Sequence, residues 1–159
     1  MTRRTARLDL TPVAMSDAAS LRHFFCDADV RRYLLDGQAV SAEWVEAEIL
    51  ASERRFRTGS VGLWAVRRRD DPLVIGFVGF REFFDPPELQ LLYGLLPTYW
   101  GRGFATEAAA TACGFAFETL GCAEIRAATD IPKGIISVGD HAAPDRKRPY
   151  LLDFSEHVQ

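Results

Sequence analysis

The chain has 159 residues, of which 48% are hydrophobic and 26% charged, and its formal net charge is −3. That length and balance fit one soluble globular domain with a real core. They exclude a broad basic face for nucleic acid, and no apolar run reaches the length of a membrane span.

The first residues, Met-Thr-Arg-Arg-Thr-Ala-Arg, carry charge with no apolar stretch behind them, so they do not form a secretory signal. Cys26, Cys113 and Cys122 are odd in number and lack metal-ligand spacing. They read as buried thiols in a reducing cytoplasm, and no metal is expected.

Residues 8–13 alternate as a first strand. Ser16-Asp17 starts a helix over 18–25, with Leu21, Phe24 and Phe25 at core spacing. His23 on this helix reads as a surface or packing residue rather than a catalytic one. Residues 27–35 make a second helical turn, which Asp36-Gly37 breaks. Ser41 caps a helix to about Phe56, with Trp44, Val45, Ile49 and Leu50 on one face. Residues 61–67 and 73–80 read as two strands of an antiparallel hairpin. The run Arg67-Arg68-Arg69 is expected at its solvated tip. Residues 81–88 read as a loop.

Residues 89–96 are almost wholly apolar and end at Pro97, as a buried strand would. Trp100-Gly101-Arg102-Gly103-Phe104-Ala105 is a glycine-punctuated turn. Strong helix formers run from Thr106 to Leu120, and Gly121 ends the helix. A strand, a glycine turn and a helix in that order gather unpartnered N–H groups and the positive end of the helix dipole at the turn. Gly101 and Gly103 let an anion approach the backbone, and Arg102 adds charge. This describes a pyrophosphate cradle; the plainer alternative is that the glycines only permit a tight turn. The spacing is neither GxGxxG, because Thr106 stands at the third glycine, nor a Walker loop.

The run Leu92-Tyr93-Gly94-Leu95-Leu96-Pro97, followed by residues 99–108, resembles the acetyl-CoA motif of the GNAT superfamily of N-acetyltransferases. It is most similar to the branch that includes the ribosomal-protein N-terminal acetyltransferases. The family pattern is Gln/Arg-x-x-Gly-x-Gly/Ala, and Trp100, Gly103 and Ala105 fill its three positions. The resemblance implies an α/β (α+β) GNAT fold: a mixed, mostly antiparallel sheet, helices on both faces and a β-α-β acetyl-CoA core. The second parallel strand is then 122–129. Acetyl-CoA is the implied cosubstrate. Backbone N–H groups of Leu95 and Leu96 would meet pantetheine or the thioester carbonyl. Arg102, Gly103, Ala105 and Thr106 would bind pyrophosphate, with Gly101 allowing its approach.

Acyl transfer to an amine needs a deprotonated amine, stabilisation of an oxyanion and a proton for the leaving thiolate. Gln90 stands where many relatives carry Glu, and can hold a water or the substrate amine. Glu88 and Glu82 are the candidate bases, while Tyr93 reads as core. The tyrosine that relatives use as proton donor has no counterpart in 133–143.

On this resemblance residues 1–130 would form the GNAT domain, with 131–159 an atypical tail of the same domain. Lys133 replaces a family Asn, and Gly134, Gly139 and Pro144 argue against the family's next helix. Both lysines, Lys133 and Lys147, lie in this tail. An altered reading frame would produce so abrupt a change; genuine divergence is the alternative. Residues 149–154 are the only later strand candidate. Two function classes follow. One is an N-acetyltransferase acting on a small-molecule amine or a protein N-terminus in a bacterial cytoplasm. The other is an impaired GNAT-fold protein that binds CoA or serves association. An incomplete sheet would expose an edge that favours a homodimer.

Overall fold

A computed structural model describes residues 1–34, 39–83, 88–122, 124–128 and 135–139. The strands are β1 (Arg3–Arg4), β2 (Leu8–Pro12), β3 (Leu63–Arg68), β4 (Val74–Phe83), β5 (Glu88–Leu95), β6 (Glu124–Ala128) and β7 (Ile135–Gly139). The helices are α1 (Ala18–Cys26), α2 (Ala28–Leu34), α3 (Ala42–Arg57) and α4 (Phe104–Leu120). The strands lie in chain order in one sheet. Every neighbouring pair is antiparallel except β5 and β6, which the α4 crossover makes parallel. The β-α-β core and the mixed sheet therefore stand as the sequence implied.

The sheet is buried on both faces. In β3, Trp64 and Val66 pack into the α4-side core, whereas Leu63 and Ala65 pack toward α1 and α3. That is why β3 reads as a continuous apolar run rather than a clean alternation. The β4 register slips against Val66/Arg67, and Ile75 is the extra residue. The slip lets both Ile75 and Val78 face α4, while Val74 and Phe77 face α1 and α3. In β5, Leu91 and Leu95 face α4, and Leu92 packs on the opposite layer.

Ser41 caps α3 by accepting the Trp44 N–H at 3.1 Å. The stripe α3 buries is Val45, Ile49 and Ser52. Leu50, expected on that face, is instead 46% exposed. A helix turns about 100° per residue, so the neighbour of a stripe-centre residue points away. Ser52 has no exposed surface; its Oγ accepts the Leu63 N–H at 2.7 Å, which ties α3 to β3.

Other differences from the sequence reading have plain causes. Arg67 is not part of a solvated tip. Its guanidinium pairs with the buried Asp17 carboxylate and donates to Thr11 Oγ1 at 2.7 Å and to the Pro72 carbonyl at 3.1 Å. Arg68 and Arg69 are exposed. Residues 81–83, read as loop, continue β4 because β5 offers them ladder partners as far as Phe83↔Glu88. Cys26 is exposed, Cys122 is partly covered and only Cys113 is buried. Burial pushes the Cys113 thiol up to about 12, so it stays protonated. In the tail, Ile135–Gly139 pairs antiparallel with β6, a strand the sequence reading did not name. Residues 149–154 lie outside the described residues. Among the described residues no helix is long and apolar enough to cross a membrane. Among them no group of three His, Cys, Asp or Glu is placed to hold a metal.

Candidate active site

The sheet ends beside the start of α4. Strand β5 stops at Leu95, a short 3-10 turn follows, and α4 begins at Phe104. Gly101 and Gly103 hold φ of 72° and 78°, the left-handed region that only glycine enters at little cost. Gly103 caps α4 with no side-chain hydrogen bond, and the first helical bond is Glu107 N–H to the Gly103 carbonyl at 3.1 Å. The amides of residues 101–106 have no acceptor among the described residues. Gly101, Arg102 and Gly103 are exposed. The turn thus presents a run of free N–H donors where the helix dipole is positive.

Arg7 braces this turn. Its Nε donates to Glu107 Oε2 at 2.7 Å, its Nη1 donates to the Arg102 carbonyl at 2.9 Å, and its guanidinium lies 4.4 Å above the Phe104 ring. The Thr5 hydroxyl and the Arg7 amide complete the cage by donating to Glu107 Oε1. Burial by itself would raise the Glu107 carboxyl. The hydrogen bonds from Thr5 and Arg7 outweigh it and hold Glu107 below the ordinary glutamate range. A Cβ on Gly103 would sit 3.3 Å from Arg7 Nη2, so the brace and the glycine fit each other. Sequence reading did not find Arg7 or the role of Glu107. They lie 100 residues apart and carry no motif. Beside the brace, Arg4, Arg7, Arg68, Arg69 and Phe104, with the single carboxylate of Asp70, border a cavity of about 380 Å³. This corner of the molecule is basic although the chain is acidic overall.

Strands β5 and β6 meet only at Gln90↔Arg126 and Leu91↔Ala127 among the described residues. Past Leu91, toward the glycine turn, the described residues of β6 offer β5 no further rung. The Leu96 amide donates to the Ile75 carbonyl at 2.8 Å. It is therefore tied into the sheet, which corrects the expectation that it is free for a ligand. By strand alternation the Leu95 N–H and carbonyl point the other way, away from β4. The Trp100 indole N–H donates to the Leu95 carbonyl at 2.8 Å, pinning the turn against the strand end.

The candidates for proton chemistry are placed differently. Gln90 is 2% exposed, and its Nε2 has no partner among the described residues. It faces Arg81 across the β4–β5 ladder. A buried donor left open is costly unless something fills the position, so Gln90 marks a place for a water or a ligand atom. Glu88 and Glu82 belong to the same ladder, and their side chains lie outside the described residues. Tyr93 packs against the α4-side core, and burial pushes its phenol up to about 12, which removes it as a base at neutral pH. His23 is exposed on α1.

Comparison with known proteins agrees with this geometry. The acetyltransferase (GNAT) domain matches residues 7–132. An uncharacterized N-acetyltransferase of Bacillus subtilis, YoaA, is 28% identical over 130 residues, which cover 77% of this chain and 70% of that protein. The crystal structure of an acetyltransferase from Agrobacterium tumefaciens superposes with a TM-score of 0.71 at 25% identity, covering 83% of this chain and 75% of that one. A ribosomal-protein alpha-N-acetyltransferase, RimL, solved in complex with coenzyme A, shares the fold. Its TM-score is 0.68 at 11% identity, covering 84% of this chain and 77% of that one. The described turn fits the cofactor of that fold: free amides, a glycine-lined approach and an adjoining basic corner suit a diphosphate. The chain belongs to the GNAT acetyltransferase family, whose fold uses acetyl-CoA, and it is an acyltransferase.

Proposed function

We propose that this protein transfers the acetyl group of acetyl-CoA to a primary amine, on a small molecule or a protein N-terminus. One observation carries the reading: the run of unpartnered amides from residue 101 to 106 at the strand-to-helix turn. Acetyl-CoA supplies the activated thioester; everything else is the work of the chain. Arg102, Gly103, Ala105 and Thr106 hold the diphosphate through backbone N–H groups, and Gly101 keeps the approach open. The Leu95 N–H, rather than that of Leu96, orients the pantetheine arm along the edge of β5. Arg7, Arg68 and Arg69 lend a positive field that draws a polyanion to this edge.

Gln90 donates from Nε2 to a water that relays the proton off the amine. Glu88, two residues earlier on the strand, is the carboxylate proposed to receive it. The same reading puts the protein in a bacterial cytoplasm and working as a homodimer. The family match ends at residue 132, which supports a boundary between the domain and its tail near 130.

Thiol release from acetyl-CoA, followed against a panel of primary amines, tests the reading. Turnover that saturates in both substrates is expected, and Glu88→Gln should lower kcat by about 100-fold or more. CoA binding in calorimetry with no thiol release from any amine would overturn catalysis and leave a cofactor-binding protein.

A further inference from the structure

The face of the sheet opposite α4 carries a feature that the cofactor reading leaves unused. A cavity of about 150 Å³ lies between α1, α3 and the β4–β5 ladder. Phe25, Val45, Ile49, Phe77 and Leu92 give it an apolar wall. Among the described residues its charged lining groups, Glu48 and Arg81, pair with each other at 3.1 Å. One residue joins this cavity to the edge of β5 that faces β6. Leu92 lines it, and Leu92 is the first β5 residue past the last rung shared with β6. The two sites therefore meet at one point of one strand, from opposite sides.

We infer that this cavity receives the side chain of the acceptor, and that the acceptor is a primary amine bearing a compact, uncharged apolar group about the size of a benzene ring. The inference rests on the acetyl-transfer reading and narrows its substrate. Three arguments converge on it. The first is volume: an apolar protein cavity of about 150 Å³ stays dry and takes benzene, whereas a fused bicyclic ring would overfill it. The second is charge. Glu48 and Arg81 already neutralise each other, so a charged side chain would lose its water without gaining a counter-ion. The third is place. An amine whose side chain lies against Leu92 and Phe77 stands beside Gln90, the buried amide with an open donor.

The test compares methylamine, isobutylamine, benzylamine and aspartic acid α-amide as acceptors, reading thiol release with the full chain. Benzylamine should exceed methylamine in kcat/KM by about 100-fold or more, since even one further methylene in an apolar pocket is worth roughly 10- to 200-fold. Aspartic acid α-amide should be the poorest. Val45→Phe fills the cavity and should cut the benzylamine-to-methylamine ratio at least tenfold. If that variant misfolds, saturation-transfer NMR of benzylamine on the unaltered protein gives a second reading: a signal that isobutylamine displaces and methylamine does not. Turnover with no preference, or with preference for the smallest or the acidic amine, overturns the inference and leaves acetyl transfer standing. Absence of a benzylamine NMR signal at millimolar concentration means the chain itself closes the cavity, which also overturns it. No thiol release from any amine is the separate outcome that removes the acetyl-transfer reading beneath it.

Discussion

The two faces of the sheet build their sites from different materials. On the α4 side the site is backbone: amides of residues 101–106, two left-handed glycines and an arginine that braces the turn from the N-terminal segment. On the α1–α3 side it is side chain: an apolar cavity walled by residues from five separate elements, with one self-paired ion pair. Backbone geometry is dictated locally, so the first kind of site leaves a contiguous mark in the sequence. Packing is dictated by elements that meet only in the fold, so the second kind leaves none. The difference also predicts how each face fails. The backbone face should lose cofactor affinity with little loss of fold, and the packed face should lose stability first.

The largest effect is expected on the packed side. Asp17 is 5% exposed and holds the Arg67 guanidinium. Asp17→Ala strands that partly buried cation and should cost about 3–5 kcal/mol in denaturant unfolding. Loss of acetyl-CoA affinity larger than the loss of stability would break the comparison. Gly103→Val tests the other face. A β-branched residue at φ 78°, crowding Arg7, should cost about 1–2 kcal/mol of stability. It should weaken acetyl-CoA binding in calorimetry by roughly 10- to 100-fold, since withdrawing one charge-assisted hydrogen bond costs about 1.5–3 kcal/mol. Unchanged affinity in a folded Gly103→Val protein would remove the turn from the binding site.

A smaller effect of opposite sign is expected at Gln90. Gln90→Leu removes an open buried donor and should leave stability level or raise it by about 1 kcal/mol, while kcat falls. A drop in stability would show that Gln90 has a partner in solution. The smallest effect is at Glu107. Its folded pKa is lowered from the ordinary 4.5, so its contribution to stability is present above that value. The contribution is lost as pH falls through the folded value. Glu107→Gln should cost about 1 kcal/mol at neutral pH, shrinking toward zero in acid. Thermal unfolding from pH 7 down to pH 3 reads it, and a gap that grows in acid would reverse the assignment.

Several elements were legible because their signals are local. Ser41 at a helix start, Gly121 at a helix end and the run from Leu89 to Leu120 each specify their own conformation. Others misled for the same reason. Arg67 resembles its neighbours Arg68 and Arg69 in sequence. It is bound inward only because β2 and the segment before α1 bring Thr11 and Asp17 to it. The Leu96 amide matched the motif but was taken by Ile75, the next partner along the β4–β5 ladder. Ile135–Gly139 has too little pattern to announce a strand and became one because β6 offered it an edge.

What the sequence determined alone is the order strand, left-handed glycines and helix, and with it the family and the free amides at the turn. Those properties depend on residues a few positions apart, whose steric limits act whatever surrounds them. The tertiary structure decided the rest: which amide is tied up, which arginine braces the turn and where an apolar cavity meets the edge of β5. Each of these needs groups far apart in the chain to arrive at one place, and no local propensity encodes that meeting.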